Sequence, residues 1–121
     1  EAAFAALARQ GVGGVLVPAH AIFLRHRKQL AELAVKHRLP SIYSAAAHVR
    51  AGGLVAYSAS LSDNFHRGAS VVDKILKGAA PADLPVELPT KFELTLNLGT
   101  ARALGLSIPS AVLLRADKII E

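Results

Sequence analysis

Short apolar runs alternate with helix-period segments along the first two thirds of the chain. The runs Gly14–Val17, Ser41–Ser44 and Leu54–Tyr57 are too short for helices, and their apolar cores do not alternate with polar positions. Such runs are typical of strands that are buried on both faces of a sheet. The segments between them carry apolar residues every three or four positions, which predicts helices. Strands and helices joined by tight connections favour an α/β fold on a parallel sheet.

The helical pattern is clearest in two amphipathic segments. Residues 21–38 form the longest pattern, and the second runs from a cap at Ser62 or Asp63 to Lys77. Shorter helices are predicted over 1–10, before Gly11, and as a single turn over 45–50. The second amphipathic helix should bury one face, which is made of Phe65, Ala69, Val72 and Leu76.

The last third of the chain has a different pattern. Prolines at 81, 85 and 89 predict an extended connection. Residues 91–98 alternate in polarity, which predicts a half-exposed strand at or near a sheet edge. A short helix over 100–104 should end at Gly105, whereas the pattern of residues 107–121 assigns neither helix nor strand.

Composition excludes several classes of protein. A hydrophobic fraction of 52% is too high for a disordered tail. No apolar run approaches the roughly 18 residues of a membrane-spanning helix, and no signal-peptide pattern occurs in this chain. Cysteine is absent, which excludes disulfides, thiolate chemistry and cysteine-ligated metals.

The net charge of +5 comes from the first 50 residues, where seven Lys and Arg meet two acids. From residue 51 onward the two signs balance at seven each. The chain has few aromatics for stacking on bases, so the basic helix between Arg25 and Arg38 is interpreted as a solvated surface rather than a nucleic-acid site.

Motifs for catalysis or cofactors are not found. The five histidines have no partner at helical spacing, so we expect no metal site. No nucleophile turn, phosphate loop or dinucleotide fingerprint follows any strand, since the glycines at 11, 13 and 14 precede theirs. The sequence therefore argues against an enzyme and against a bound cofactor.

The ends of the three predicted strands carry the candidate binding groups. Ligands of open parallel sheets collect at the carboxyl ends of the strands. Those ends bring His20, Ser44, Tyr57 and Ser58, which offer an imidazole, a phenol and two hydroxyls without strong charge. These groups suit the recognition of a small polar or aromatic molecule.

Several stretches then carry a family resemblance. The sequences over 39–43 and 51–57, the run from Val72 to Glu87, and the segments 89–94, 97–98, 100–101, 103–106, 108–110 and 115–117 together resemble a family of ABC-transporter substrate-binding proteins. The resemblance follows nearly the whole chain in order. One departure is Ser58, since family members tend to have glycine after the tyrosine of that strand.

The resemblance implies a type I periplasmic binding protein, with two Rossmann-like lobes that close on a ligand. Residues 1–52 would be an α/β segment of the second lobe, and 53–78 a strand–helix unit returning to the first lobe. Residues 79–90 would be a Pro-rich crossing, and 91–121 a C-terminal segment of the second lobe. Family members usually carry a first lobe ahead of the region that resembles this chain.

The implied function is noncatalytic capture of a small polar or aromatic solute, such as an amino acid, for an ABC permease. The implied location is the periplasm or cell envelope. The alternative interpretation is the effector-binding domain of a lactose-repressor-type regulator, which shares the two-lobed architecture. We also expect a homo-oligomer, formed by exchange of the strand–helix unit, because the helix over 65–76 faces no sheet of its own lobe within this sequence.

Overall fold

A computed structural model describes all 121 residues and shows a mixed α/β architecture. The helices are α1 (Ala2–Arg9), α2 (Ala21–Arg25), α3 (Arg27–Lys36), α4 (Ala46–Arg50), α5 (Leu61–Leu76), α6 (Leu98–Ala103) and α7 (Ser110–Leu113). The strands are β1 (Val15–Val17), β2 (Ser41–Tyr43), β3 (Val55–Ala59), β4 (Phe92–Asn97) and β5 (Lys118–Ile120), and Pro81–Asp83 forms a 3₁₀ turn.

The five strands form one sheet in the order β1-β2-β3-β4-β5. The pairs β1–β2, β2–β3 and β4–β5 are parallel, as the alternation of strands and helices predicts. The sheet and its flanking helices therefore confirm the predicted fold class. The 91–98 strand, predicted to lie at or near a sheet edge, is the second strand from one edge, because β4 lies between β3 and β5; it buries Thr95 and Leu96.

Two helix predictions need correction. The segment over 21–38 is not one helix, because the backbone leaves helical geometry at His26 and separates α2 from α3. Helix α5 matches its predicted bounds closely but buries none of its residues, so the face expected to be buried is exposed. The unassigned segment over 107–121 contains the short helix α7 and the strand β5.

The chain divides into two compact units. The larger unit comprises Glu1–Ser58 and Glu93–Glu121, and its core packs Val17, Tyr43 and Ala56 of the sheet against Val49 of α4. A second cluster joins Phe4 of α1 to Ala34 and Leu39. The smaller unit, Ala59–Phe92, contains α5 and the Pro-rich segment.

Within the smaller unit, Arg67 of α5 holds the Pro-rich segment. Its guanidinium donates to a carboxylate oxygen of Glu87 at 2.5 Å and to the hydroxyl of Thr90 at 2.8 Å. Neither unit contains a helix that is both long and apolar enough to cross a membrane.

Candidate functional site

The register of the sheet brings the ends of β1 and β2 level with the middle of β3. Val17 pairs with Tyr43, and Tyr43 pairs with Ala56. The residues that follow these three are Pro18, Ser44 and Tyr57, so they stand at the same level along the strand direction. Polar groups of the larger unit therefore collect at the carboxyl edge of the parallel strands.

His20 reaches this edge as the N-cap of α2. Its Nδ1 accepts a hydrogen bond from the amide of Ile22 at 3.2 Å, and its ring lies edge-on to Phe23 at 5.8 Å. This bond fixes the orientation of the imidazole ring and requires the tautomer in which Nδ1 is the acceptor.

His20 and Ser44 line one cavity of about 310 Å³. The other residues of its wall come from the turns after β1 and β2 and from the first turns of α2 and α4: Ala19, Ala21, Leu24, Ala45 and His48. Of the four residues predicted from the sequence, the structure brings these two into one cavity, and Tyr57 and Ser58 lie outside its lining.

Tyr57 and Ser58 lie within β3, since that strand extends to Ala59 rather than ending at Tyr57 as predicted. Side chains alternate along a strand, so these neighbours project to opposite faces of the sheet. Tyr57 is 56% exposed and Ser58 is half-buried. Only one of the two side chains can therefore approach a ligand from a given face.

His48 is a cavity residue that the sequence pattern did not single out. Its ring is 2% exposed, stacks on Tyr43 with centroids 4.8 Å apart, and places Nδ1 3.3 Å from the carbonyl oxygen of Ala45. The available signal was its position in the helix that directly follows β2. The stacking on buried Tyr43 therefore orients one residue of the cavity wall.

Gly53 makes this stacking possible. A Cβ atom at this position would lie 2.6 Å from Cε2 of Tyr43 and 2.9 Å from the carbonyl oxygen of His48. Both distances are too short for any side chain, so the backbone of the α4–β3 turn approaches the ring directly.

The cavity is lined mainly by apolar side chains together with His20, Ser44 and His48, and its lining includes no acid or permanent cation. Burial raises the pKa of the Tyr43 phenol, which stays neutral beneath it. No three histidine, cysteine or acidic residues come together in a way that would hold a metal ion. A cavity of this kind favours recognition of a small polar or aromatic group by hydrogen bonds and van der Waals contact.

Two ion pairs of the larger unit involve residues outside the cavity lining. Lys28 pairs with Glu32 at 3.8 Å on α3, and Lys36 forms a close ion pair with Glu1. The Lys36 ammonium lowers the pKa of the Glu1 carboxyl. These pairs are exposed, so salt screens them and they contribute little to stability.

Comparisons with known proteins identify the family and the fold of the chain. The sequence profile of a family described as ABC transporter substrate binding protein matches residues 3–120. A search of curated protein sequences found no match.

Among solved structures, an ABC domain in complex with L-Trp from Streptococcus pneumoniae aligns with a TM-score of 0.88 and 26% identity. A conserved domain protein from Vibrio cholerae aligns with a TM-score of 0.87 and 24% identity. A ligand-free, open substrate binding protein with adhesive properties from Clostridium difficile aligns at 0.74 and 18%. Each alignment covers 98% of this chain, but the chain spans only 40%, 40% and 39% of the respective structures.

Proposed function

The chain belongs to the ABC transporter substrate-binding protein family, and we propose that it binds a small polar or aromatic solute, such as an amino acid, at the cavity of His20 and Ser44. The family consists of noncatalytic solute binders, so we infer capture of the solute rather than its chemical conversion. The observation that carries the proposal is the position of this cavity at the carboxyl edge of the parallel strands.

The size and lining of the cavity set the class of ligand. A volume of about 310 Å³ falls at the lower end for small-molecule sites, so it suits a ligand of amino-acid size. Leu24 and three alanines supply apolar contact, while Ser44 and His20 supply polar atoms. The structural relative from Streptococcus pneumoniae, whose complex contains L-Trp, supports an aromatic amino acid as the first candidate.

Roles follow from the chemistry of each side chain. The Ser44 hydroxyl both donates and accepts, so it can pair with either a carboxylate or an amide of the ligand. The His20 ring keeps Nε2 for the ligand because Nδ1 caps α2. Tyr57 would stack on a planar group from the exposed face of β3, and Ser58 would contribute from the opposite face or through its backbone.

In the complete protein, we infer that the bound solute is delivered to an ABC permease from the periplasmic side of the membrane. Of the strand–helix unit over 53–78, β3 lies in the sheet that residues 1–52 and 91–121 form, so these segments would make up the second lobe together. The helix α5 would then belong to the first lobe, and the Pro-rich segment over 79–90 would be a crossing between lobes. Family membership supports delivery to a permease, because substrate-binding proteins act outside the cytoplasm with a membrane partner.

The test is calorimetric titration of the chain with a panel of L-amino acids, beginning with L-Trp. We expect saturable binding of at least one of them, weakened by roughly 5- to 10-fold in Ser44→Ala, since one hydrogen bond contributes about 1 kcal/mol. His20→Asn keeps a capping side chain but removes the ring, so it separates ligand contact from helix capping.

Ser70→Ala is the matched control, because Ser70 is an exposed serine on α5. Absence of binding throughout the panel, or an equal loss in Ser70→Ala and Ser44→Ala, would contradict the proposed site.

A further inference from the structure

The imidazole of His20 is oriented by two contacts with its own helix. Its Nδ1 lies 3.2 Å from the amide nitrogen of Ile22, and its ring stands edge-on to Phe23 with centroids 5.8 Å apart. The amide is the donor of this hydrogen bond, so Nδ1 is the acceptor and carries no proton. In the neutral ring the proton therefore lies on Nε2, which makes Nε2 a hydrogen-bond donor.

The direction of this donor follows from the shape of the ring. The two nitrogens of an imidazole lie on either side of one ring carbon, and their bonding directions diverge. Because Nδ1 faces the first turn of α2, Nε2 faces away from that helix. His20 lines the cavity of about 310 Å³ together with Ser44, so its ring offers a preset donor to a molecule bound there.

The second histidine of the cavity wall has the opposite tautomer. Nδ1 of His48 lies 3.3 Å from the carbonyl oxygen of Ala45, and a carbonyl oxygen can only accept. Nδ1 therefore carries the proton of the neutral ring, and Nε2 is buried and has no proton to donate. Of the two imidazoles in the wall, His20 is the one that presents a donor.

The charge of the larger unit favours an anionic group at this donor. The unit carries ten Lys and Arg residues against five acids, whereas the smaller unit has four of each. Two of these cations, Arg27 and Arg50, line a neighbouring cavity that shares Leu24 with the cavity of His20, and no acid lines either cavity. The resulting positive potential raises the local concentration of anions.

From these observations we propose that His20 determines the specificity of the cavity, by donating from Nε2 to a carboxylate of the ligand that Ser44 also contacts. This assignment rests on the proposed function, since it names the group that the solute presents to the same cavity. A carboxylate accepts at both oxygens, so one oxygen can take the imidazole N–H and the other the Ser44 hydroxyl. A ligand that presents only an ammonium group would place one donor against another.

Calorimetric titration with three molecules of one skeleton tests this specificity. The probes are the amino acid of the panel that binds most tightly, the amine that lacks its carboxylate and the acid that lacks its ammonium. For L-Trp the last two are tryptamine and indole-3-propionate. At about pH 8, where an ordinary imidazole is neutral, we expect the amine to bind at least 10-fold more weakly than the acid, because hydrogen bonds to a charged group are the stronger ones.

Two substitutions of His20 separate the donor from the helix cap. Asn and Asp are both good N-cap residues, so His20→Asn and His20→Asp should both keep α2. The carboxylate of His20→Asp would repel that of the ligand, so we expect this variant to bind tryptamine more tightly than indole-3-propionate. His20→Asn should weaken indole-3-propionate without reversing the order. His66→Asn, at an exposed histidine of α5, is the matched control and should leave all three affinities unchanged.

NMR of the ring nitrogens tests the tautomers without any ligand. At about pH 8 a long-range ¹H–¹⁵N spectrum should show a protonated Nε2 in His20 and a protonated Nδ1 in His48, with the His20 signals assigned by their loss in His20→Asn. The opposite tautomer of His20, or an amine that binds as tightly as the acid while Ser44→Ala still weakens both, would overturn the role of His20 and leave the site in place. Absence of binding throughout the amino-acid panel would overturn both proposals.

Discussion

Replacing Gly53 with alanine should damage the larger unit more than any other single methyl group added to its glycines. The new Cβ would stand 2.6 Å from Cε2 of Tyr43 and 2.9 Å from the carbonyl oxygen of His48. Neither neighbour can give way easily. The Tyr43 ring is 2% exposed and stacked on His48, and the carbonyl oxygen is part of the backbone.

The expected loss follows from measured costs of overpacking. Inserting one methyl group into a closed core lowers the free energy of unfolding by about 1–3 kcal/mol. Two contacts below 3.0 Å place Gly53→Ala at the upper end of that range. A loss of about 2–3 kcal/mol is a large part of the roughly 5–15 kcal/mol that stabilises a domain of this size.

Urea unfolding followed by far-UV circular dichroism measures this loss. We expect the midpoint to fall by ~1 M or more at an unchanged slope, since the slope depends on the surface exposed rather than on one contact. Gly13→Ala is the matched control, because a Cβ there meets nothing within 4 Å and the backbone is not left-handed. A midpoint for Gly53→Ala close to that of the wild type, or an equal fall in Gly13→Ala, would refute the reasoning.

Three other predictions concern the same unit. Burial raises the pKa of the Tyr43 phenol above its ordinary value of 10.0, so this phenol ionises at a lower pH in the unfolded chain than in the folded one. The free energy of unfolding should therefore fall as the pH rises through about 10, and Tyr43→Phe should remove that part of an alkaline denaturation curve. In Tyr57→Phe, tyrosinate absorbance should show that Tyr43 ionises above its ordinary pKa. Asn97→Ala should lower the free energy of unfolding by about 1–2 kcal/mol, because Oδ1 caps α6 by accepting from the Thr100 amide at 2.8 Å. Asn97→Asp keeps this cap but loses the Nδ2 bond to the Val49 carbonyl, so it should cost less than Asn97→Ala, and an equal loss would refute the capping role. Arg38 has a φ of 53°, so Arg38→Gly should raise the thermal midpoint by relieving a strain of about 1–2 kcal/mol, whereas Arg25→Gly inside α2 should lower it.

The order of strands and helices could be predicted because each buried strand is an uninterrupted apolar run between turn-forming residues. The strand β5 outside β4 could not be predicted, because it is only three residues long and follows a segment without clear periodicity. The exposure of α5 is likewise invisible in its periodicity, which shows that a helix has an apolar face but not what covers it. The break at His26 left the apolar spacing intact and so gave no signal.

The candidate site was predictable in part. The sheet rule points to the strand ends, and it led to Ser44 and His20 because both follow a strand within three residues. It gave no indication that Tyr57 lies inside β3 rather than at its end. His48 was not predicted, because a histidine in a short helix usually lies on the surface. Here its ring stacks on Tyr43, and the absence of a side chain at Gly53 leaves room for the Tyr43 ring.

The last part of the chain also supports the wall of the cavity. The Thr100 hydroxyl donates to the carbonyl of Gly52 at 2.9 Å, and Nδ2 of Asn97 donates to the carbonyl of Val49 at 3.3 Å. Both bonds join residues 48 positions apart and hold the turn between α4 and β3. Because Gly53 in this turn sets the distance to Tyr43 and His48, the positions of these rings depend on β4 and α6. The segment from 93 onward is therefore part of the candidate site's framework, although none of its residues lines the cavity.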